Sequence, residues 1–297
     1  MHTTNKWGFR GDEPPADWDH FLTIVTIGGS TTQCFYLDDR KTWPHLLQER
    51  LKGKYSKVWV GNAGLDGHSS RAHLIMMKRA IPKIKPDAVI FLVGINDLLI
   101  SLSEDEKGHR SQFENTEWTY KFWTSSRLLQ VLHTWKLILF DHVHVVTRTR
   151  HRVFVPTPLT EKEVPLPADL REALPFLDAY RRNIEEIIRL GKAMNIRTVF
   201  LTQPMRFEDT PYWRGIEAQF YWTKSQKGKR SAATLWRLLL VYNKELLEIC
   251  KREKVDCFDL ASVVPHRDAY FYDTTHFTER GAELVAQKVS GFLMGRL

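Results

Sequence analysis

Five residues of this 297-residue sequence have the types and positions that acyl transfer needs. Ser30 follows two glycines in Gly28-Gly29-Ser30-Thr31-Thr32. Gly67 closes Asn62-Ala63-Gly64-Leu65-Asp66-Gly67, and Asn96 sits in Gly94-Ile95-Asn96-Asp97. Asp273 and His276 lie three apart in Tyr272-Asp273-Thr274-Thr275-His276-Phe277. The chemistry calls for a hydroxyl nucleophile, a base within hydrogen-bond reach, a carboxylate that fixes the imidazole tautomer, and N–H donors for the oxyanion. The spacing of Asp273 and His276 lets the carboxylate meet imidazole Nδ1 while Nε2 faces Ser30. The backbone N–H groups of Ser30 and Gly67, with the Asn96 amide, would then form an oxyanion hole.

Each piece alone has a plainer reading. Gly-Gly-Ser after a strand also describes a phosphate-cradling loop, although neither GxxxxGK[ST] nor GxGxxG is present. Gly67 could serve a tight turn, Asn96-Asp97 could cap the following helix, and a lone histidine is more often structural than catalytic. Cys34, four residues past Ser30, is a rival nucleophile or a small buried thiol.

The elements that must position these groups follow from hydrophobic periodicity. Leu22–Ile27 is a β-branched run halted by glycines, Val58–Val60 is a short second strand, and Ala88–Val93 is an uninterrupted apolar strand. Arg197–Thr202 and Asp256–Asp259 supply a fourth and a fifth. Helices are expected from Thr42, with Pro44 in the first turn, over 71–81, over Phe176–Met194, over Leu235–Lys254, and from Glu279 with Thr278 as cap. Strands alternating with helices imply a parallel sheet covered on both faces, here a three-layer α/β/α sandwich with five strands. All the candidate groups then fall where strands end, at the carboxyl edge on which such sheets collect ligands.

One domain spanning 1–297 is expected, with an insertion at about 101–175 and an irregular excursion at about 204–232. The insertion holds Ser125–Phe140, apolar on nearly every side, which reads as a buried helix or a lid, and a Pro-interrupted loop at Val153–Pro167. Aromatic residues there and in the excursion (Trp118, Trp123, Trp135, Tyr212, Trp213, Trp222) interleave with Arg148, Arg150, Arg152, Lys227 and Arg230. They read as core plus a solvated face, or as a surface that stacks sugars and attracts anions. The N-terminal stretch Trp7–Pro15 reads as an irregular arm ending in Pro-rich turns.

With 43 Lys+Arg against 35 Asp+Glu, the net charge is +8, which favours acidic partners such as an anionic polysaccharide. No nucleic-acid motif accompanies it. The three cysteines, Cys34, Cys250 and Cys257, do not make a disulfide framework. No Cys/His spacing suits zinc, and His142, His144 and His151 lack an acidic partner, so neither metal nor cofactor is expected. Neither an export signal nor a membrane-spanning run is visible.

The four blocks together resemble the SGNH/GDSL hydrolase superfamily. Ser30 matches its block I serine, Gly67 the glycine closing Asn-Ala-Gly-x-x-Gly, Asn96 the asparagine of Gly-x-Asn-Asp, and Asp273/His276 its Asp-x-x-His. The usual Gly-Asp-Ser-Leu is replaced here by Gly28-Gly29-Ser30-Thr31, a variant that resembles a bacterial, often exported subgroup. The resemblance implies a flavodoxin-like sandwich and a serine esterase acting through an acyl-enzyme on Ser30. Short acyl groups, such as O-acetyl on a carbohydrate or other polar acceptor, are the expected substrates. The alternatives are an O-acyltransferase using the same site, a flavodoxin-like phosphate or nucleotide binder, and a non-catalytic glycan-binding module.

Overall fold

The computed structural model describes residues 2–102, 165–207 and 232–297, together with the backbone of 157–158 and 212–213. Five parallel strands form one sheet: β1 (Leu22–Gly28), β2 (Val58–Asn62), β3 (Ala88–Val93), β4 (Arg197–Thr202) and β5 (Asp256–Phe258), in the order β2-β1-β3-β4-β5. Chain order reverses between β1 and β3, so the loops after these two strands diverge and leave a crevice at their carboxyl ends.

Every residue of β2 and β3 is buried, as is all of β1 after Leu22. Period-2 alternation sends neighbouring side chains to opposite faces. Val25, Ile27, Val89, Phe91, Val93 and Phe200 pack with helices α3 (Ser70–Arg79), α6 (Leu177–Ala193) and α7 (Ala232–Glu253). Ile24, Ile90, Leu92, Val199 and Leu201 pack on the other face with α2 (Trp43–Leu51) and α8 (Glu279–Leu293). Phe91 and Phe200 are paired across β3 and β4 and stack with centroids 5.1 Å apart.

Local signals account for the helix ends. The Thr42 side chain caps α2, with Pro44 in its first turn, and the Thr278 side chain accepts from the Gly281 N–H at the start of α8. The helix expected over 71–81 is two pieces, α3 and the one-turn α4 (Ile81–Ile84), because Pro82 cannot continue the first ladder. A single turn, α1 (Ser30–Gln33), follows β1, and α5 (Ile95–Leu102) follows β3.

The N-terminal arm is irregular but firmly held. The Arg10 N–H bonds the Asn62 carbonyl at the edge of β2 (2.9 Å), and Trp7, Trp18 and Trp59 meet edge to face at 5.1–5.5 Å. The sequence signalled no disulfide, yet Cys250 and Cys257 are bridged, tying the end of α7 to β5. The pair is seven positions apart in the chain, and a reverse turn between helix and strand brings their Cα atoms to 6.0 Å, within disulfide reach.

Most of the expected insertion and excursion lies outside the described residues. That includes Ser125–Phe140, most of Val153–Pro167, the three histidines 142, 144 and 151, and the aromatic and basic residues named for those segments, apart from the backbone of Tyr212 and Trp213. The described ends show that residues 101 and 102 belong to α5. Thr157–Pro158 pairs antiparallel with Tyr212–Trp213, so the two segments touch. No described helix is long and apolar enough to cross a membrane.

Candidate active site

Ser30 is the first residue of α1, directly at the end of β1, and is half-buried. The turn is fixed from behind. The Trp43 indole N–H and the Cys34 thiol both donate to the Thr31 carbonyl, at 3.2 and 3.3 Å, and the Thr31 hydroxyl donates to Gln203 Oε1 at 3.2 Å. Burial pushes the Cys34 thiol up to about 12, which removes it as a rival nucleophile at neutral pH. The Ser30 hydroxyl makes no hydrogen bond among the described residues. Catalytic hydrogen bonds often close only when substrate is present.

Asp273 and His276 meet as their spacing predicts. Nδ1 of His276 lies 2.6 Å from Asp273 Oδ2, while Oδ1 of the same carboxylate accepts from the Thr275 and His276 backbone N–H groups, each at 2.8 Å. Both side chains are almost fully buried. The loop therefore holds its own carboxylate by two amides, and the carboxylate in turn holds the imidazole. A phosphate-binding loop has no use for such a pair.

Gly67 has φ +73°, a left-handed conformation that a side chain would strain even though the space a Cβ would occupy is open. Asn96 does not cap its own helix: its amide donates to the His68 carbonyl at 2.8 Å. An amide nitrogen carries two hydrogens, so one donor remains. Asp97 also reaches across rather than capping α5. Its carboxylate accepts from the Ser70 backbone N–H (3.0 Å) and hydroxyl (2.5 Å) and thereby caps α3. Adjacent residues at the start of α5 thus grip the His68–Ser70 segment at two points. Burial, only partly offset by the Ser70 hydrogen bonds, pushes the Asp97 carboxyl up to about 6.

Three contacts of the site were not foreseen from the sequence. Gly29 stands where the family usually has aspartate, and a Cβ there would fall 2.3 Å from Asn96 Nδ2. Arg10, itself buried, donates to the carbonyls of Gln33 (2.6 Å), Cys34 (2.5 Å) and Leu37 and pairs with Asp39 at 2.7 Å, so the arm shapes the loop after Ser30. Tyr272 lies parallel to the His276 imidazole with centroids 5.6 Å apart, and Tyr36, from the loop after Ser30, meets that imidazole at 6.3 Å and 78°. Tyr36 brings the loop after Ser30 into contact with the loop that carries His276. Gly29 carried a signal as the departure from Gly-Asp-Ser, and Asp97 as part of Gly-x-Asn-Asp. Arg10 and the tyrosines had no distinctive spacing.

A family model described as the GDSL-like lipase/acylhydrolase family matches residues 26–284. The chain belongs to this family. It is an ester-hydrolysing enzyme on the fold shared by GDSL hydrolases. Similar solved structures include TesA (TM-score 0.54, 14% identity, 93% of this chain and 99% of the other). Axe2, an acetylxylan esterase from Geobacillus stearothermophilus, is also similar (0.52, 13%, 92% and 94%). So is the acetyl xylan esterase AlAXEase (0.51, 15%, 91% and 98%). At these identities the likeness speaks for the fold. No curated protein sequence matches the chain. Among the described residues no group of three His, Cys, Asp or Glu side chains could hold a metal ion.

Proposed function

We propose that this GDSL-family chain hydrolyses carboxylic esters through an acyl-enzyme on Ser30, with His276 as base and Asp273 as its orienting carboxylate. The observation that carries the reading is the 2.6 Å Asp273–His276 contact with the carboxylate pinned by two backbone amides, because that arrangement presets the imidazole tautomer. His276 takes the Ser30 proton as Oγ attacks the ester carbonyl, and the Ser30 and Gly67 N–H groups and the Asn96 amide receive the oxyanion. Collapse expels the alcohol, protonated by His276. Water, deprotonated by the same imidazole, then attacks the acyl-enzyme and releases the acid and Ser30.

We take short acyl groups, O-acetyl above all, on a carbohydrate or other polar acceptor as the substrate class. The acetylxylan esterases among the similar structures support that choice. The domain is read as a single unit spanning 1–297, with its extra segments between β3 and β4 and between β4 and α7. A fluorophosphonate probe should add one adduct at Ser30, and His276→Ala should suppress it. Labelling at Cys34, or undiminished labelling of the His276 variant, would reject the assignment.

A further inference from the structure

Exposed large apolar side chains are few among the described residues, and most of them border the site. Phe35 (54% exposed) and Tyr36 (58%) follow the Ser30 turn, Leu65 precedes Gly67, and Tyr272 (41%) precedes Asp273. A protein surface rarely gathers bare rings without a partner for them. Tyr272 runs parallel to the imidazole, at 9°, while Tyr36 stands at 80° to Tyr272 with centroids 5.2 Å apart. The two phenols make a right-angled corner whose floor continues into His276. Phe35 extends the wall, 5.5 Å from Tyr36.

The chemistry says which half of an ester lies there. In the mechanism proposed above, the imidazole returns its proton to the departing alcohol oxygen, so the alcohol rests against His276. The carbonyl oxygen points instead toward the Gly67 and Asn96 donors. Rings packed on the imidazole therefore border the alcohol. An alkyl alcohol would call for a closed apolar slot, and this corner is partly open to water and built from two phenols. A pyranose matches it: one C–H face to lie on a ring, and a rim of hydroxyls to meet phenols. Burial and the nearby Asp273 carboxylate raise both phenols above their ordinary value, so they remain donors at working pH.

We infer that Tyr36 and Tyr272 form a subsite that binds the alcohol half of the substrate as a sugar ring. This rests on the proposed hydrolysis only for its orientation, and the two can be tested apart. The first measurement is the ratio of kcat/KM for acetylated xylopyranose to that for ethyl acetate. Tyr36→Ala should lower the ratio about tenfold, chiefly through KM on the sugar ester, while Tyr36→Phe keeps most of it. Met294→Ala, an exposed side chain at the far end of α8, should leave the ratio as in the parent. An unchanged ratio in Tyr36→Ala overturns the subsite. So does a shift in preference among p-nitrophenyl acetate, butyrate and hexanoate in its place, which would put the acyl chain in the corner. The second measurement is xylotriose binding to Ser30→Ala with and without Tyr36→Ala. Tyr36-dependent binding in a protein whose parent cleaves neither ester rejects the hydrolysis and keeps the subsite, and binding that ignores Tyr36 rejects the subsite.

Discussion

Gly29 and Asn96 are packed so closely that a Cβ on the glycine would sit 2.3 Å from the asparagine's amide nitrogen, with the His68 carbonyl 3.3 Å away on the same side. The amide is already committed to that carbonyl. It cannot retreat from a methyl group without losing the bond that aims its second hydrogen. The departure from Gly-Asp-Ser is therefore coupled to the position of the Asn96 amide, the proposed oxyanion donor.

Gly29→Ala should accordingly lower kcat by about tenfold to a hundredfold with KM little changed, and Gly29→Asp, which restores the family's usual residue, should not raise it. Asn96→Ala should lower kcat by roughly 10²–10³, the usual cost of one missing oxyanion donor. Steady-state kinetics and thermal unfolding on the same variants decide the matter. A destabilised but fully active Asn96→Ala would remove the amide from the catalytic set.

Asp97 gives stability a pH dependence whose sign is set by its raised pKa. Between 3.8 and about 6 the native carboxyl holds a proton that the unfolded chain has lost. The stability linked to that proton is complete below about 3.8 and disappears as pH rises through about 6. Asp97→Asn keeps an acceptor for the Ser70 N–H and buries no charge. Its melting temperature relative to the parent should rise between pH 4 and pH 7, by an amount on the order of 2 kcal/mol in stability. A difference constant across that range would mean that Asp97 is ionised throughout.

Arg10 is buried against an aspartate and three carbonyls, and its removal strands all of them. Arg10→Met should cost about 3 kcal/mol of stability, in the range for breaking a buried pair from one side. Because the same guanidinium holds the loop carrying Phe35 and Tyr36, KM for a sugar ester should rise as well. Chemical denaturation and kinetics measure the two effects separately. A loss of under 1 kcal/mol would show that the arm is dispensable.

The cysteines predict a stepwise thiol count. With Cys34 buried and raised to about 12 and Cys250 bridged to Cys257, a disulfide reagent should find no thiol in the native protein. Unfolding should expose one, and unfolding with reduction three. Two or more reactive thiols before reduction would contradict the bridge.

Sequence alone determined the sandwich and where its five strands lie in the chain, because apolar runs such as Ala88–Val93 can only be buried on both faces; their order and register came from the structure. It also singled out Ser30, Gly67, Asn96, Asp273 and His276. Asp273 and His276 are close in the chain, so their contact needed only a turn. The tertiary structure decided everything that depends on segments meeting across the crevice. Gly29 is distinguished by an amide 67 residues on, Arg10 by carbonyls on the Ser30 loop, and Asp97 by a helix start at Ser70 rather than its own. The tyrosine corner joins loops more than 230 residues apart. Periodicity reports which way a side chain faces within its own element. It carries no information about which distant backbone atom will be waiting there.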